Sequence, residues 1–338
     1  KSTINRADID DLVFNFACPK VSDEVFSYLG EILKNVKPLK NLKLNFEFSE
    51  HISNSALAIL EQTLTKHRKT LETLALNFNS AVRVSNFIIV KTGITDKGIE
   101  PLIAKIKGLP ALRNLSLSFG KSFASTTVAN VSVVNIAETI SGLQLLNFSL
   151  DMRNCTNVTD FGIATIAKSL HSQPLLQALS LNFSGCSHIT DTGLDCLKEY
   201  LQILASLKFL ELNFAKKSLS FEITNKGIAS LMEAVQLLER LEYLKLEFAY
   251  CSKVSDEGMV SILKILKSLP ALKELSLGFA GCTEMSSFAF KKLKEVCKVM
   301  PSLTNLKLSV KDCINIDDRV IESLKKELTN LDHIYIYS

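Results

Sequence analysis

The sequence predicts an α/β solenoid: a parallel sheet on the concave side, helices on the convex side, closed into a horseshoe of about ten repeats plus a terminal strand. Three observations predict it. One pattern, Leu176-x-x-Leu179-x-Leu181-x-Phe183, returns as Leu207/Leu210/Leu212/Phe214, as Leu241/Leu244/Leu246/Phe248 and as Leu272/Leu275/Leu277/Phe279. Its lead positions 176, 207, 241, 272 and 303 stand 31, 34, 31 and 31 residues apart. Behind each copy runs an apolar stripe at helical spacing. A fixed period of roughly 20 to 50 residues marks an array whose units bury their apolar faces only against their neighbours.

Each element follows from its residues. The first copy begins at Ile9/Leu12/Phe14/Phe16. In Leu176 to Phe183 the apolar residues alternate with period two, which is a strand with one buried face. Cys186-Ser-His188-Ile189-Thr190-Asp191-Thr-Gly193 follows as a turn, and the side-chain oxygens of Thr190 and Asp191 both suit capping of the coming helix. Leu194, Leu197, Leu201 and Leu204 then fall at i, i+3, i+7 and i+10, one stripe of a helix; Met259/Ile262/Leu266/Leu269 and Ile99/Leu102/Ile106/Leu109 repeat it. Pro110, Pro270 and Pro301 stand just past their helices, where proline cannot continue one. The register drifts where about ten extra residues enter as an insertion loop over 79–93, and shorter additions fall between Phe119 and Val128 and between Phe214 and Ile223. Insertions in such arrays map to loops on one edge, often where partners bind.

These motifs resemble the leucine-rich repeats of the ribonuclease-inhibitor-like superfamily, and the resemblance covers essentially the whole chain. The Cys-x-x-Ile-Thr-Asp-x-Gly turns (Cys186 to Gly193, with Cys251 to Gly258 alike) are similar to the cysteine-containing class found in F-box substrate receptors. The cysteine here stands further from the strand than in that class, because an extra Asn-Phe step lengthens the strand and the period. The resemblance implies a protein-binding role: a substrate-recognition part of an F-box-type ubiquitin ligase adaptor, or a GTPase-activating regulator resembling the Ran activator family. No F-box-like helical segment precedes residue 9.

Composition narrows the classes. The unbroken repeat makes 1–338 a single domain, although the length alone would suggest two. Opening on Lys1 with the first repeat following at once leads us to expect a fragment of a longer chain. The charge of +4, from 39 basic and 35 acidic residues, carries no footprint for nucleic acid or an anionic membrane. No apolar run approaches the ~20 residues of a bilayer span. Cys18, Cys155, Cys186, Cys251, Cys282 and Cys313 occupy equivalent places just after strands, one column of small buried thiols rather than a disulfide framework. Cys196 and Cys297 fall on helices as packing residues. The formal glycosylation acceptors Asn114, Asn147 and Asn182 lie within predicted strands, where glycans would crowd one face. Both points favour a reducing, cytoplasmic setting, with nuclear and ciliary ones also compatible.

Chemistry-bearing constellations are absent from the pattern. Cys186 and His188 have no further ligands near them in sequence, and His51 holds the same turn place as His188, which reads as a solvated turn histidine. Asp317-Asp318 is a capping turn like those at Asp191 and Asp256, not a carboxylate pair. Lys291, Lys292 and Lys294, like Lys325 and Lys326, alternate with Glu295 and Glu327 as solvated helix faces. No catalytic residue, cofactor or metal is expected. On the concave face one column reads Asn15, Asn45, Asn77, Ser118, Ser149, Asn182, Asn213, Glu247, Gly278, Ser309, Tyr337, and its amides and hydroxyls suit hydrogen-bonded ladders. A neighbouring column holds Phe209, Tyr243 and His333, and the next holds Lys245, Lys307 and Tyr335. Aromatic residues with scattered charge are the composition of a binding hot spot. The candidate partner-binding residues are Phe209, Tyr243, Lys245, Tyr335 and Tyr337, with Phe87, Ile88, Ile89 and Val90 of the insertion. The expected function is a non-enzymatic protein–protein interaction module, a scaffold or a subunit of a large assembly such as a cytoskeletal or ciliary complex, binding protein and neither nucleic acid nor membrane.

Overall fold

The structure is a computed structural model that describes residues 9–49, 51–79, 93–120, 128–216 and 220–337, with only the backbone at 220 and 221. The chain divides into two compact units, 1–157 and 158–338. In the first, β1 (Asp11–Asn15), β2 (Asn41–Asn45), β3 (Thr73–Asn77), β4 (Asn114–Ser118) and β5 (Asn147–Asp151) pair in parallel and in chain order. They alternate with α1 (Glu24–Asn35), α2 (Asn54–Leu64), α3 (Asp96–Lys107) and α4 (Asn130–Ser141).

The second unit opens on α5 (Asp160–Ser169) and carries the repeat strands β6 (Ala178–Asn182), β7 (Phe209–Asn213), β9 (Tyr243–Glu247), β11 (Glu274–Gly278), β12 (Asn305–Ser309) and β13 (His333–Tyr337), again parallel in that order. Between them lie α6 (Asp191–Leu201), α7 (Asn225–Val235), α8 (Asp256–Leu266), α9 (Ser287–Cys297) and α10 (Asp318–Glu327). Two further strands, β8 (Ser220–Thr224) and β10 (Cys251–Lys253), pair in parallel where the sequence pattern predicts only turns.

The repeat strands pair in register within each unit, so equivalent residues form columns, whereas the β8–β10 pair shifts register between Cys251 and Lys253. The second and fourth residues of each inner strand are buried against the helices, as at Leu179, Leu181, Leu244 and Leu246; the first, third and fifth face the opposite, open side. Just past the strands, Phe16, Phe46, Phe78 and Phe119 stack at centroid spacings of 5.2, 5.6 and 5.9 Å. Phe183, Phe214, Phe248 and Phe279 do the same in the second unit at 6.3, 6.1 and 6.3 Å. The predicted helix stripes Leu194/Leu197/Leu201/Leu204 and Met259/Ile262/Leu266/Leu269 are buried behind them.

The helix starts show why the turn carries Thr-Asp-x-Gly. Thr190 caps its own helix, its hydroxyl oxygen accepting from Thr192 N at 3.1 Å. Asp191 does not cap the same helix, as its place in the turn suggests. Its carboxylate reaches into the next repeat and accepts from Thr224 N (2.8 Å) and Thr224 Oγ1 (2.7 Å). Asp160 holds Thr190 in the same way, and Asp256 holds Ser286. Where the acid is an amide, as in Asn225, its Oδ1 accepts from Ser255 N and its Nδ2 donates to Ser255 Oγ. In the first unit Asn54 holds Thr95 and Asp23 holds Ser53. The glycine two residues after the acid leaves room for the preceding repeat's acid: a methyl at Gly193 would meet Asp160 Oδ1 at 2.6 Å, and one at Gly227 would overlap the Asp191 carboxylate. Asp317 stands at the Thr190 place and caps α10, accepting from Arg319 N at 2.9 Å.

A second backbone requirement recurs in six repeats, two residues past the stacking position or its equivalent. Phe48, Asn154, Gly185, Tyr250, Gly281 and Asp312 all take φ between 61° and 72°. Glycine meets this at no steric cost, whereas a bulky residue there is strained. Tyr250 lies with its ring over Gly281, where a methyl group would collide with it, and its hydroxyl is 3.3 Å from Asp312 Oδ2.

Gly227→Ala should lower the melting temperature, because the new methyl strikes Asp191, and Asp191→Ala should cost about 1–3 kcal/mol by orphaning the Thr224 N–H. The double variant should be more stable than the sum of the two, since alanine is the better helix former once the carboxylate is gone. Thermal or denaturant unfolding of the four proteins checks it, and additive losses refute the packing assigned to this pair.

Candidate functional site

The open face of the first unit satisfies itself. The last residue of each strand closes its own turn: Asn15, Asn45 and Asn77 accept from the backbone N–H two residues on at 3.2, 3.0 and 3.0 Å, as Asp151 does from Arg153 N at 3.0 Å. Asn182 and Asn213 repeat this in the second unit. Asn45 Nδ2 also donates to Asn15 Oδ1 at 3.1 Å, a ladder bond within this column. A longer ladder lies one row away, where Asn147 donates to Asn114 and Asn114 to Thr73. One member of the predicted column is corrected: Ser118 pairs with Asp151, and Ser149 pairs with Ser116. Phe148 and Met152 take the leucine and phenylalanine places in that repeat, which shifts the apparent register by two.

The open face of the second unit differs in kind. Its rows read Ala178, Phe209, Tyr243, Glu274, Asn305, His333; then Ser180, Glu211, Lys245, Ser276, Lys307, Tyr335; then Asn182, Asn213, Glu247, Gly278, Ser309, Tyr337. Phe209 and Tyr243 stack at 4.2 Å with 8° between their planes. Lys245 is half-buried and tied to Glu211 by a 2.8 Å ion pair. Tyr335 and Tyr337 are 46% and 63% exposed, and Lys307 Nζ sits 5.9 Å from the centre of the Tyr335 ring. The five predicted residues of this face therefore share one surface, with β11 and β12 separating the Phe209–Tyr243 pair from the two tyrosines. Phe87, Ile88, Ile89 and Val90 lie outside the described residues.

Three carboxylates complete this face, and their place in the columns is the signal that would have found them. Glu211 and Glu274 flank Tyr243 on β7 and β11. Burial of the Tyr243 hydroxyl, and next the charge on Glu211, raise its pKa. Glu247 lies with its carboxylate over Gly278, where any side chain would overlap it. Burial raises the pKa of Glu247 and the nearby Lys245 opposes that rise.

The cysteine column packs the turns. Cys155, Cys186, Cys251, Cys282 and Cys313 are buried, whereas Cys18 is exposed. Cys18 thus departs from the expected buried column: among the described residues β1 is an edge strand, paired on one side only. Cys282 and Cys313 donate to Phe248 O (3.2 Å) and Phe279 O (3.0 Å) of the preceding repeats. Repeats without the cysteine use another donor: Ser49 Oγ reaches Phe16 O and Cys18 O, and the buried Lys216 ammonium reaches Cys186 O (2.8 Å) and Ile189 O (3.0 Å). Burial lowers the Lys216 pKa. Cys186 is buried while His188 is exposed beside it, and His51 is exposed too, so neither turn gathers ligands. Among the described residues no cluster of His, Cys, Asp and Glu fits a metal ion, and no helix is long and apolar enough to cross a membrane.

No protein-family model and no curated protein matches the chain. Solved structures do. Over 97% of this chain and 76% of the other, it superposes on the Rad7 and Elc1 complex of yeast with a TM-score of 0.55 at 18% identity. Over 90% of this chain and 37% of the other, it superposes on the TLR13–ssRNA13 complex with a TM-score of 0.40 at 17% identity. The chain is an α/β leucine-rich-repeat solenoid.

Thiol labelling under native conditions should modify Cys18 quickly and Cys196, which is partly exposed, more slowly. Cys155, Cys186, Cys251, Cys282, Cys297 and Cys313 should wait for denaturant, since burial pushes the thiols of Cys251 and Cys297 up to about 12 and raises Cys282 further. Rapid native labelling of most of these six refutes their packing role.

Proposed function

We propose that this chain is a non-catalytic protein-interaction module, a scaffold or assembly subunit, and that it docks a protein partner on the open face of its second unit. The Phe209–Tyr243 stack carries the reading. The repeat needs only small or polar residues in those rows, as Ala178, Ser180, Ser276 and Ser309 illustrate. Aromatic side chains held there serve no packing demand of the solenoid core, and such residues dominate binding energetics where they are found. Exposed Tyr335 and Tyr337 extend the same surface. Rad7, which shares the fold, is seen in complex with a protein, Elc1, and this supports a protein partner for the module. Buried cysteines outside any disulfide and strand-bound Asn114 and Asn147 favour a reducing compartment such as the cytoplasm.

Affinity purification with the tagged chain, quantified against Phe209→Ser/Tyr243→Ser, tests the surface. Phe161→Ser/Phe288→Ser, two exposed helix-side residues, serves as the control. We expect proteins recovered by the wild type and by the control to fall about tenfold or more with the open-face variant, because buried aromatic anchors are commonly worth ~2 kcal/mol or more. Equal recovery from all three, with unchanged thermal unfolding, removes the face from the interface. Stimulated GTP hydrolysis by a small GTPase, lost on a surface substitution that leaves the fold intact, would overturn the non-catalytic reading.

A further inference from the structure

The docking face is chemically lopsided. Across β7, β9 and β11 it presents Glu211, Glu247 and Glu274 against one cation, Lys245, and that cation is already engaged by Glu211. Among the described residues Glu247 and Glu274 have no ion-pair partner. Lys307, on the neighbouring strand, leans over the Tyr335 ring on the side away from β11. The open-face residues of β11 are Glu274, Ser276 and Gly278, so the small Ser276 separates a carboxylate at one end from the Glu247 carboxylate lying over Gly278 at the other. One face of the Tyr243 ring is covered by Phe209; the other turns toward the strand of Glu274.

A half-buried carboxylate without a cation or donor carries a desolvation cost that a partner's donor would relieve. An aromatic face beside carboxylates attracts the same kind of group, because the ring quadrupole favours a cation. Both features point to one occupant. We propose that the docked protein presents a basic side chain, arginine or lysine, above Ser276, its cationic head bracketed by Glu247 and Glu274 and its stem lying beside Tyr243. An arginine suits the site best, since its planar guanidinium can bond a carboxylate and stack on the ring together. This rests on the docking face argued above. Burial of Glu247, which the charge of the nearby Lys245 only partly offsets, agrees with it.

The test selects random short peptides displayed on phage against the immobilised full chain, its Glu247→Gln variant and the Phe209→Ser/Tyr243→Ser variant. Enriched peptides are then synthesised and titrated by fluorescence anisotropy. The wild type should enrich peptides holding arginine or lysine next to an apolar residue. Glu247→Gln should weaken them about tenfold or more, replacing the peptide's basic residue by glutamine should do the same, and the two changes together should add little further. Loss of the aromatic pair should abolish binding. Thermal unfolding monitors the fold, and Glu274→Gln reads the same site should Glu247→Gln fail to fold. Peptides that need Phe209 and Tyr243 but are acidic, or indifferent to charge, overturn the cation and leave the docking face standing. No enrichment, or enrichment that survives loss of the aromatic pair, overturns both.

Discussion

Each repeat of this chain is completed by its neighbour, and the hydrogen bonds that Asp191 accepts from Thr224 show how strictly. The first-turn acid of one repeat fixes the helix cap of the next, so a helix can begin at the right height only if the preceding repeat is already in place. The same dependence appears at the strand ends, where Phe214 N donates to Glu247 O, and in the turns, where Gly185 N donates to Ala215 O. Backbone groups that a lone strand-turn-helix unit would leave open are satisfied only across the repeat boundary. The in-register parallel pairing within each unit follows from this, because a slip of one residue would break the caps, the phenylalanine stacks and the leucine layers together.

That dependence also accounts for the local exceptions. In six repeats the position two residues past the stacking place takes positive φ; glycine fits at 185 and 281, yet Tyr250 and Phe48 are held there against their preference. Tyr250 is retained by a compensating contact, its ring on Gly281 and its hydroxyl near Asp312. The cysteine column answers a similar need. A carbonyl left facing the turn must find a donor, and a thiol, the Ser49 hydroxyl or the Lys216 ammonium can each provide one. Interchange of three such different groups at related places argues that the role is local hydrogen bonding rather than thiol chemistry.

With helices, turns and inward strand positions occupied by stacking, the open sheet face is where sequence is least constrained by the fold. The first unit uses that freedom for side-chain bonds between neighbouring strands, ending with Asn147, Asn114 and Thr73 linked in a chain. The second unit places an aromatic stack, an ion pair and two carboxylates that have no ion-pair partner among the described residues on the equivalent surface. A face whose polar groups already have partners has little left for another molecule, whereas one with open hydrogen-bonding capacity beside aromatic rings does.

Much of this was legible in the sequence, because periodicity is a local property. The Leu-x-x-Leu-x-Leu-x-Phe spacing alone identifies the strands, their parallel order and the rows that bring Phe209 beside Tyr243 and place Lys245 in one row with Lys307. Where a repeat departs from consensus residues the reading slipped: Phe148 and Met152 in place of leucine and phenylalanine put Ser149 where Asp151 belongs. The pairing of β8 with β10 was hidden for a different reason: Ser220–Thr224 alternates over only five residues within an irregular addition to the repeat, Cys251–Lys253 is three residues inside the turn motif, and each is held by the other. Tertiary structure alone decided which way side chains lean. That Asp191 serves the next helix, that Lys245 turns to Glu211, and that Glu247 folds over Gly278 are choices among rotamers, settled by neighbours 31 to 34 residues away in the chain.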